Sequence, residues 1–247
     1  MKPNAVTAGM ARLGVSLLSL AALVGPAMAG DRALIDLIGY SADARYFAFE
    51  EYGIQDGSGF AYSSIYVVDL AEDEWVVGTP VRVRGESEAM TLSVVRAEAQ
   101  ATAAEDLATL GIDRPAELVA LVGDGAPGLD ADRLRFGMPG YEPGAVRGDH
   151  ELRLSSFPVT AAAPCTEWFG VDPLGYQLTL VNDEGSRQIH RDGDLPRSRG
   201  CPVTYRLHGV VLPFQADSVD DAVVLISVYP GSFEGPDRRF IAVPLGL

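Results

Sequence analysis

Residues 44–51 read Ala-Arg-Tyr-Phe-Ala-Phe-Glu-Glu, residues 53–60 read Gly-Ile-Gln-Asp-Gly-Ser-Gly-Phe, and residues 64–70 read Ser-Ile-Tyr-Val-Val-Asp-Leu. The first stretch is rich in aromatic residues and the last in β-branched ones, both of which suit the pleated, half-buried surface of a sheet. The glycine-rich stretch between them suits a long hairpin connection. Large apolar groups stand on both faces of each strand, so the pattern predicts a central hairpin covered on two sides. A core that begins this way is mainly β.

The period changes at residues 87–122. Ser87 is placed to cap a helix, and Leu92, Val95, Ala99, Ala103, Leu107 and Leu110 recur at three- and four-residue steps before Gly111 can end it. A second short helix is predicted from Arg114-Pro115 to about Val122. The stripe is narrow, as for helices lying on a sheet. Residues 123–149 are rich in Gly, Pro and Asp and read as a long surface connection, with one strand candidate at 133–137. Strands return at 150–159, 176–181, 186–191, 204–214, 223–229 and 239–245. Asn182-Asp-Glu-Gly185 suits a hairpin turn with Gly185 at positive φ, and Gly235-Pro-Asp-Arg238 suits a type I turn.

These elements predict one α+β domain over residues 30–247. Its expected form is an antiparallel β-sandwich or barrel-like sheet with the helical pair inserted at 87–122. Residues 46–70 and 223–245 both read strand, Gly-rich acidic turn, strand. That echo makes a partial β-propeller the alternative, although the helical segment leaves room for only about four blades.

Ahead of this domain stands the pattern of a secretory leader. Lys2 and Arg12 precede an apolar run at 13–24, Gly25-Pro26 breaks it, and Ala27-Met-Ala29 offers small residues for cleavage before Gly30. The run falls short of the roughly 18 apolar residues of a membrane span. No cysteine near the cleavage site offers a lipid anchor, and no paired arginines precede the run. The expected product is a periplasmic or secreted protein with no membrane anchor after cleavage.

The chain has 34 acidic and 19 basic residues, a net charge of −15, which loss of Lys2 and Arg12 takes to −17. Such a surface repels phosphate backbones and anionic lipid, so nucleic-acid binding is excluded. Lys2 is the sole lysine, which excludes Schiff-base or lysine-base chemistry in the mature domain. Cys165 and Cys201 are the two cysteines, and in an oxidising compartment they form one disulfide, worth about 3.8 kcal/mol in the chain-entropy model.

Motifs that carry chemistry are sparse. There is no Gly-x-Ser-x-Gly elbow, Walker loop or Rossmann fingerprint, and His150, His190 and His208 lack zinc-ligand spacing. Glu50, Glu51, Asp56 and Asp69 form one acidic cluster, able to bind a cation or act as acid and base at a strand end, or else simply to be solvated at a sheet rim. Neighbouring Glu50 and Glu51 point to opposite faces of a strand. Asp124, Asp130 and Asp132 form a second cluster, with the oxygens Ca2+ takes but without the EF-hand pattern. Arg197-Ser-Arg199, beside Cys201, and Asp237-Arg238-Arg239 are either anion clamps or partners of local carboxylates.

Residues 40–60, the run Ile65-Tyr-Val-Val-Asp-Leu70 with Trp75 and Gly78-Thr-Pro80, Ser198-Arg-Gly-Cys-Pro202 and residues 235–244 together resemble a family of bacterial predicted secreted proteins of unknown function. The opening is also similar to one propeller repeat of periplasmic TolB-like proteins. The first resemblance spans nearly the whole mature chain and implies export and a disulfide without a mechanism. The expected role is therefore a non-enzymatic binding module that holds an envelope protein or a small ligand. The alternative is a carboxylate- or metal-dependent hydrolase using the Glu50–Asp69 region.

Overall fold

The computed structural model describes residues 30–122, 131–233 and 235–246, so the leader and residues Asp124 and Asp130 lie outside the described residues. The chain folds into three antiparallel sheets. The first contains β1 (Leu34–Ser41), β2 (Tyr46–Ile54), β3 (Ala61–Asp69), β4 (Glu74–Trp75), β5 (Val81–Arg84) and β6 (Ile112–Arg114). Strands β2 and β3 are the predicted central hairpin, paired from Tyr46–Asp69 to Ile54–Ala61. The far edge of β3 is shared by β4 and β5.

Helix α1 (Leu92–Thr109) lies on the outer face of this sheet. Its buried stripe is Val95, Ala99 and Ala103, three of the six predicted positions, and Leu107 packs beside them. Small side chains at 99 and 103 let the helix close onto Ile65, Val81 and Val83. Thr91, rather than Ser87, occupies the N-cap, and Gly111 at φ 64° leaves the helix in the left-handed conformation.

The second predicted helix is not there. Residues from Ile112 form β6, which pairs with β1, and then β7 (Ala116–Leu121), which pairs with β12 (Pro202–Pro213) in a different sheet. Pro115 is the physical reason for the break. It supplies no N–H for a helix and disfavours the helical conformation in Arg114, so the chain crosses between sheets there. The close pairing of β6 also needs Gly39. Its φ is 149°, and a Cβ there would sit 2.5 Å from the Arg114 carbonyl oxygen.

The third sheet is a meander of β8 (Arg133–Pro139), β9 (Val146–Pro158), β10 (Leu174–Asn182) and β11 (Gly185–Arg191), with short helix α2 (Cys165–Phe169) between β9 and β10. Strands β12, β13 (Val223–Pro230) and β14 (Arg239–Pro244) join β7 in the remaining sheet, ordered β14-β13-β12-β7. This sheet lies in the middle. Along β13, Val223 and Leu225 pack against Phe47, Phe49 and Tyr66 of the first sheet, while Val224, Ile226 and Val228 pack against Leu152, Leu178 and Leu180 of the third. Strand alternation thus feeds two cores from one strand. Tyr40 donates its hydroxyl to Val211 O across one core, and Tyr205 donates to Leu174 O across the other.

The architecture is a mainly β stack of antiparallel sheets, not closed into a barrel, with two helices. The repeated strand-turn-strand pattern at 46–70 and 223–245 is a hairpin in each of two sheets. Among the described residues, the first and third sheets share no hydrophobic core. What lies between them is a cleft.

Candidate functional site

The cleft opens past β14, the edge strand of the middle sheet, where the flanking sheets overhang it. Its volume is about 860 Å³, within the range of small-molecule sites. One wall is β3 with β5. Val81 and Val83 turn to the helix, so by strand alternation Arg82 and Arg84 turn the other way, beside Ser64 and Tyr62. The facing wall is Tyr176, His190 and the single 3-10 turn Arg197–Arg199. Residues 239–243 of β14 form the base, and Asp73, Glu74 and Trp75 line the cleft from the β3–β4 turn and β4.

Glu51 lies at the base with 2 % of its surface exposed. Its carboxylate accepts hydrogen bonds from the Phe240 N–H and from the Tyr66 hydroxyl, the latter at 3.2 Å. Burial pushes its pKa up to about 7, against the pull of these donors and of Arg239 and Arg82. Chemically it blocks an outward N–H of an otherwise open strand edge, one of the ways proteins protect such edges.

His190 connects the walls. Its Nε2 is 3.0 Å from Asp192 Oδ1, its Nδ1 is 3.8 Å from Asp73 Oδ2 on the first sheet, and its ring stacks on Tyr176 at 4.7 Å. The hydrogen bond with Asp192 and the nearby Asp73 carboxylate raise its pKa to about 9, so the ring is a cation near neutral pH. Arg199 stands next to it, 3.6 Å from Asp192 Oδ2 and 5.5 Å over the Tyr176 ring. Its Nη1 is buried and makes no hydrogen bond. Arg239 is held by Asp31 at 2.7 Å and by the Tyr62 hydroxyl at 3.3 Å.

The Cys165–Cys201 disulfide forms as predicted, with Cα atoms 5.4 Å apart. It ties α2 to the end of the Arg197–Arg199 turn, so the arginine pair does stand beside it. Arg197 is exposed, whereas Arg199 is half-buried in the cleft. The predicted type I turn at 235–238 does not close. The Arg238 N–H goes instead to Asp31 O at 2.7 Å, and the Asp237 N–H to Pro230 O at 2.9 Å. Asp237 accepts from the Asp31 N–H, and the Arg238 guanidinium donates to Ala33 O. These two residues tie the start of the described chain to β14.

The first acidic cluster is not gathered. Glu50 and Glu51 do face opposite sides of β2, but neither sits at a solvated rim. Glu50 is under α1, 1 % exposed, where Arg96 grips it with Nε at 2.9 Å and Nη2 at 2.8 Å. Ser63 and Gln100 complete its shell. Burial pushes its pKa up, but these donors outweigh burial and hold it low. Asp56 lies in the hairpin loop, and Asp69 is paired with Arg45 at the other end of β3. Asp132, the described member of the second cluster, is exposed. Among the described residues no group of three His, Cys, Asp or Glu side chains is placed to hold a metal ion.

Sequence reasoning missed the cleft itself. The Val-Arg-Val-Arg alternation at 81–84 carried a readable signal of a strand with one charged face. His190 and Tyr176 carried none, because their neighbours come from other elements.

Comparison with family models matches residues 48–245 to a family described as "Predicted secreted protein (DUF2259)". No curated protein and no solved structure matches. Among the described residues, no helix is long and apolar enough to cross a membrane.

Proposed function

The chain belongs to this family of predicted secreted proteins, and from that premise we propose that it is an exported, non-enzymatic protein that binds a small ligand in the cleft between its sheets. The observation that carries the reading is the concave, aromatic-lined space itself. Sheets that could have closed on each other are held apart past β14, and polar groups converge on the gap from three directions. Pockets of this size with a few placed polar groups are the usual seat of small molecules. Export places such a protein in the periplasm or outside the cell.

Trp75 lines the cleft and Trp168, the other tryptophan, does not. A Trp168→Phe variant therefore reports on the cleft alone. Screening small molecules from the host's envelope fraction against its fluorescence and melting temperature should yield a ligand that shifts both. Ser64→Trp, which fills the wall, should abolish the response. A ligand that binds Ser64→Trp equally well would place binding elsewhere and sink the reading.

A protein partner is the second reading, favoured by the exposed aromatics beside the disulfide. Phe233 is 92 % and Trp168 57 % exposed, and each makes an edge contact with Phe169. Cross-linking of the tagged protein in its own periplasm, read by mass spectrometry, should then give one dominant envelope protein joined near these residues.

A further inference from the structure

The charges around the cleft name a ligand class, and this inference rests on the binding reading just given. The molecule as a whole is strongly acidic, yet five arginines and His190 line this one space. Of the acidic groups among them, Glu51 and Asp73 are already engaged, and Glu74 is exposed to solvent. Glu51 accepts from the Phe240 N–H and the Tyr66 hydroxyl, and Asp73 faces His190. Arg239 is matched by Asp31 and Asp237.

The other arginines are not matched in this way. Arg82, Arg84 and Arg197 make no ion pair among the described residues, and Arg84 only overlies the Phe60 ring at 5.3 Å. Arg199 has Asp192 at 3.6 Å, but Asp192 also serves His190 and the Tyr176 N–H. Its buried Nη1 is the atom facing Asp192, too far for a hydrogen bond. A guanidinium nitrogen removed from water without a hydrogen-bonded acceptor is costly, and an anion supplies an oxygen within reach. Raised to about 7, the pKa of Glu51 leaves much of its negative charge neutralised near the base.

Part of the remaining lining is apolar and aromatic. Tyr66 and Trp75 make an edge contact at 5.2 Å, and Val68, Ile241 and Val243 continue the surface. We propose that the cleft binds a small organic anion, a carboxylate, sulfonate or phosphate on a flat apolar body. The anionic group is held by Arg82 and Arg199 on the facing walls, and the body lies against Trp75 and Tyr66.

The test uses two dyes with the same ring system and different charge. Anilinonaphthalene sulfonate is an anion, and N-phenylnaphthylamine is its neutral counterpart. Each is titrated into the mature Trp168→Phe protein and read by energy transfer from Trp75. The expected result is binding of the sulfonate about tenfold or more tighter than the neutral dye, as one charge-assisted hydrogen bond provides. That preference should weaken as salt rises. Arg199→Gln should remove it. Arg82→Gln, on an exposed strand position, should reduce it about tenfold without touching the fold. Equal binding of both dyes would overturn the anion proposal while leaving a ligand-binding cleft in place. Absence of both dyes from the cleft would overturn the two readings together.

Discussion

Glu50 and Glu51 are chain neighbours with opposite thermodynamic roles. Glu50 is fully buried and ion-paired, so Glu50→Gln breaks a buried pair and should cost about 3 kcal/mol, read as a lower melting temperature. Glu51 is buried with its pKa raised from 4.5 to about 7. The folded state therefore binds a proton more tightly than the unfolded chain, and Glu51 costs stability as pH climbs from 4.5 to 7. Above that window the cost reaches about 3 kcal/mol. Glu51→Gln keeps an oxygen for the Phe240 N–H, so it should melt higher than wild type at pH 8 and equal to it at pH 4. A gap that does not change with pH would mean that Glu51 is not titrating there. Asp56→Asn, in the hairpin loop, should move stability by less than about 0.5 kcal/mol. Strand alternation made the opposed faces of these two glutamates legible. Their burial was not, because Arg96 arrives from a helix 46 residues further along and the Phe240 N–H from another sheet.

Among the elements, the disulfide has the most direct consequence for the site. Cys165 and Cys201 close a loop with sequence separation 36 and fasten the Arg197–Arg199 turn to α2. Replacing both with serine should lower stability by about 3.8 kcal/mol in the chain-entropy model. It should also weaken binding of the anionic dye, because Arg199 loses its anchor. Non-reducing peptide mapping of the exported protein should find the two cysteines joined, and two free thiols would refute the link. The pairing was readable because two cysteines allow one intramolecular partnership. Helix α1 was readable from its stripe. Residues 116–121 were not, since Ala-Glu-Leu-Val-Ala-Leu is compatible with either a helix or a strand. Pairing with β12 decides it, and local propensity yields to tertiary context.

For the molecule as a whole, His190 joins sheets that share no core. Its pKa is raised from 6.5 to about 9, so its contribution is complete below pH 6.5 and disappears as pH rises through 9. Chemical denaturation across that range should show stability falling with pH, and His190→Gln should flatten the slope. A slope retained in the variant would assign it to another group. The wider architecture has a consequence in time. Asp31 N–H bonds to Asp237, 206 positions away in sequence, and Asp31 O accepts from the next residue, Arg238. Synthesis delivers the first of these residues long before its partners. Loop closure over such a span is slow and comes after local hairpins have formed. The base of the cleft, with Arg239 and Phe240, is itself made by these late residues. A nascent chain halted before residue 238 therefore has both helices and every strand except β14, but not the base of the pocket, and ligand binding becomes a report that this last strand has arrived.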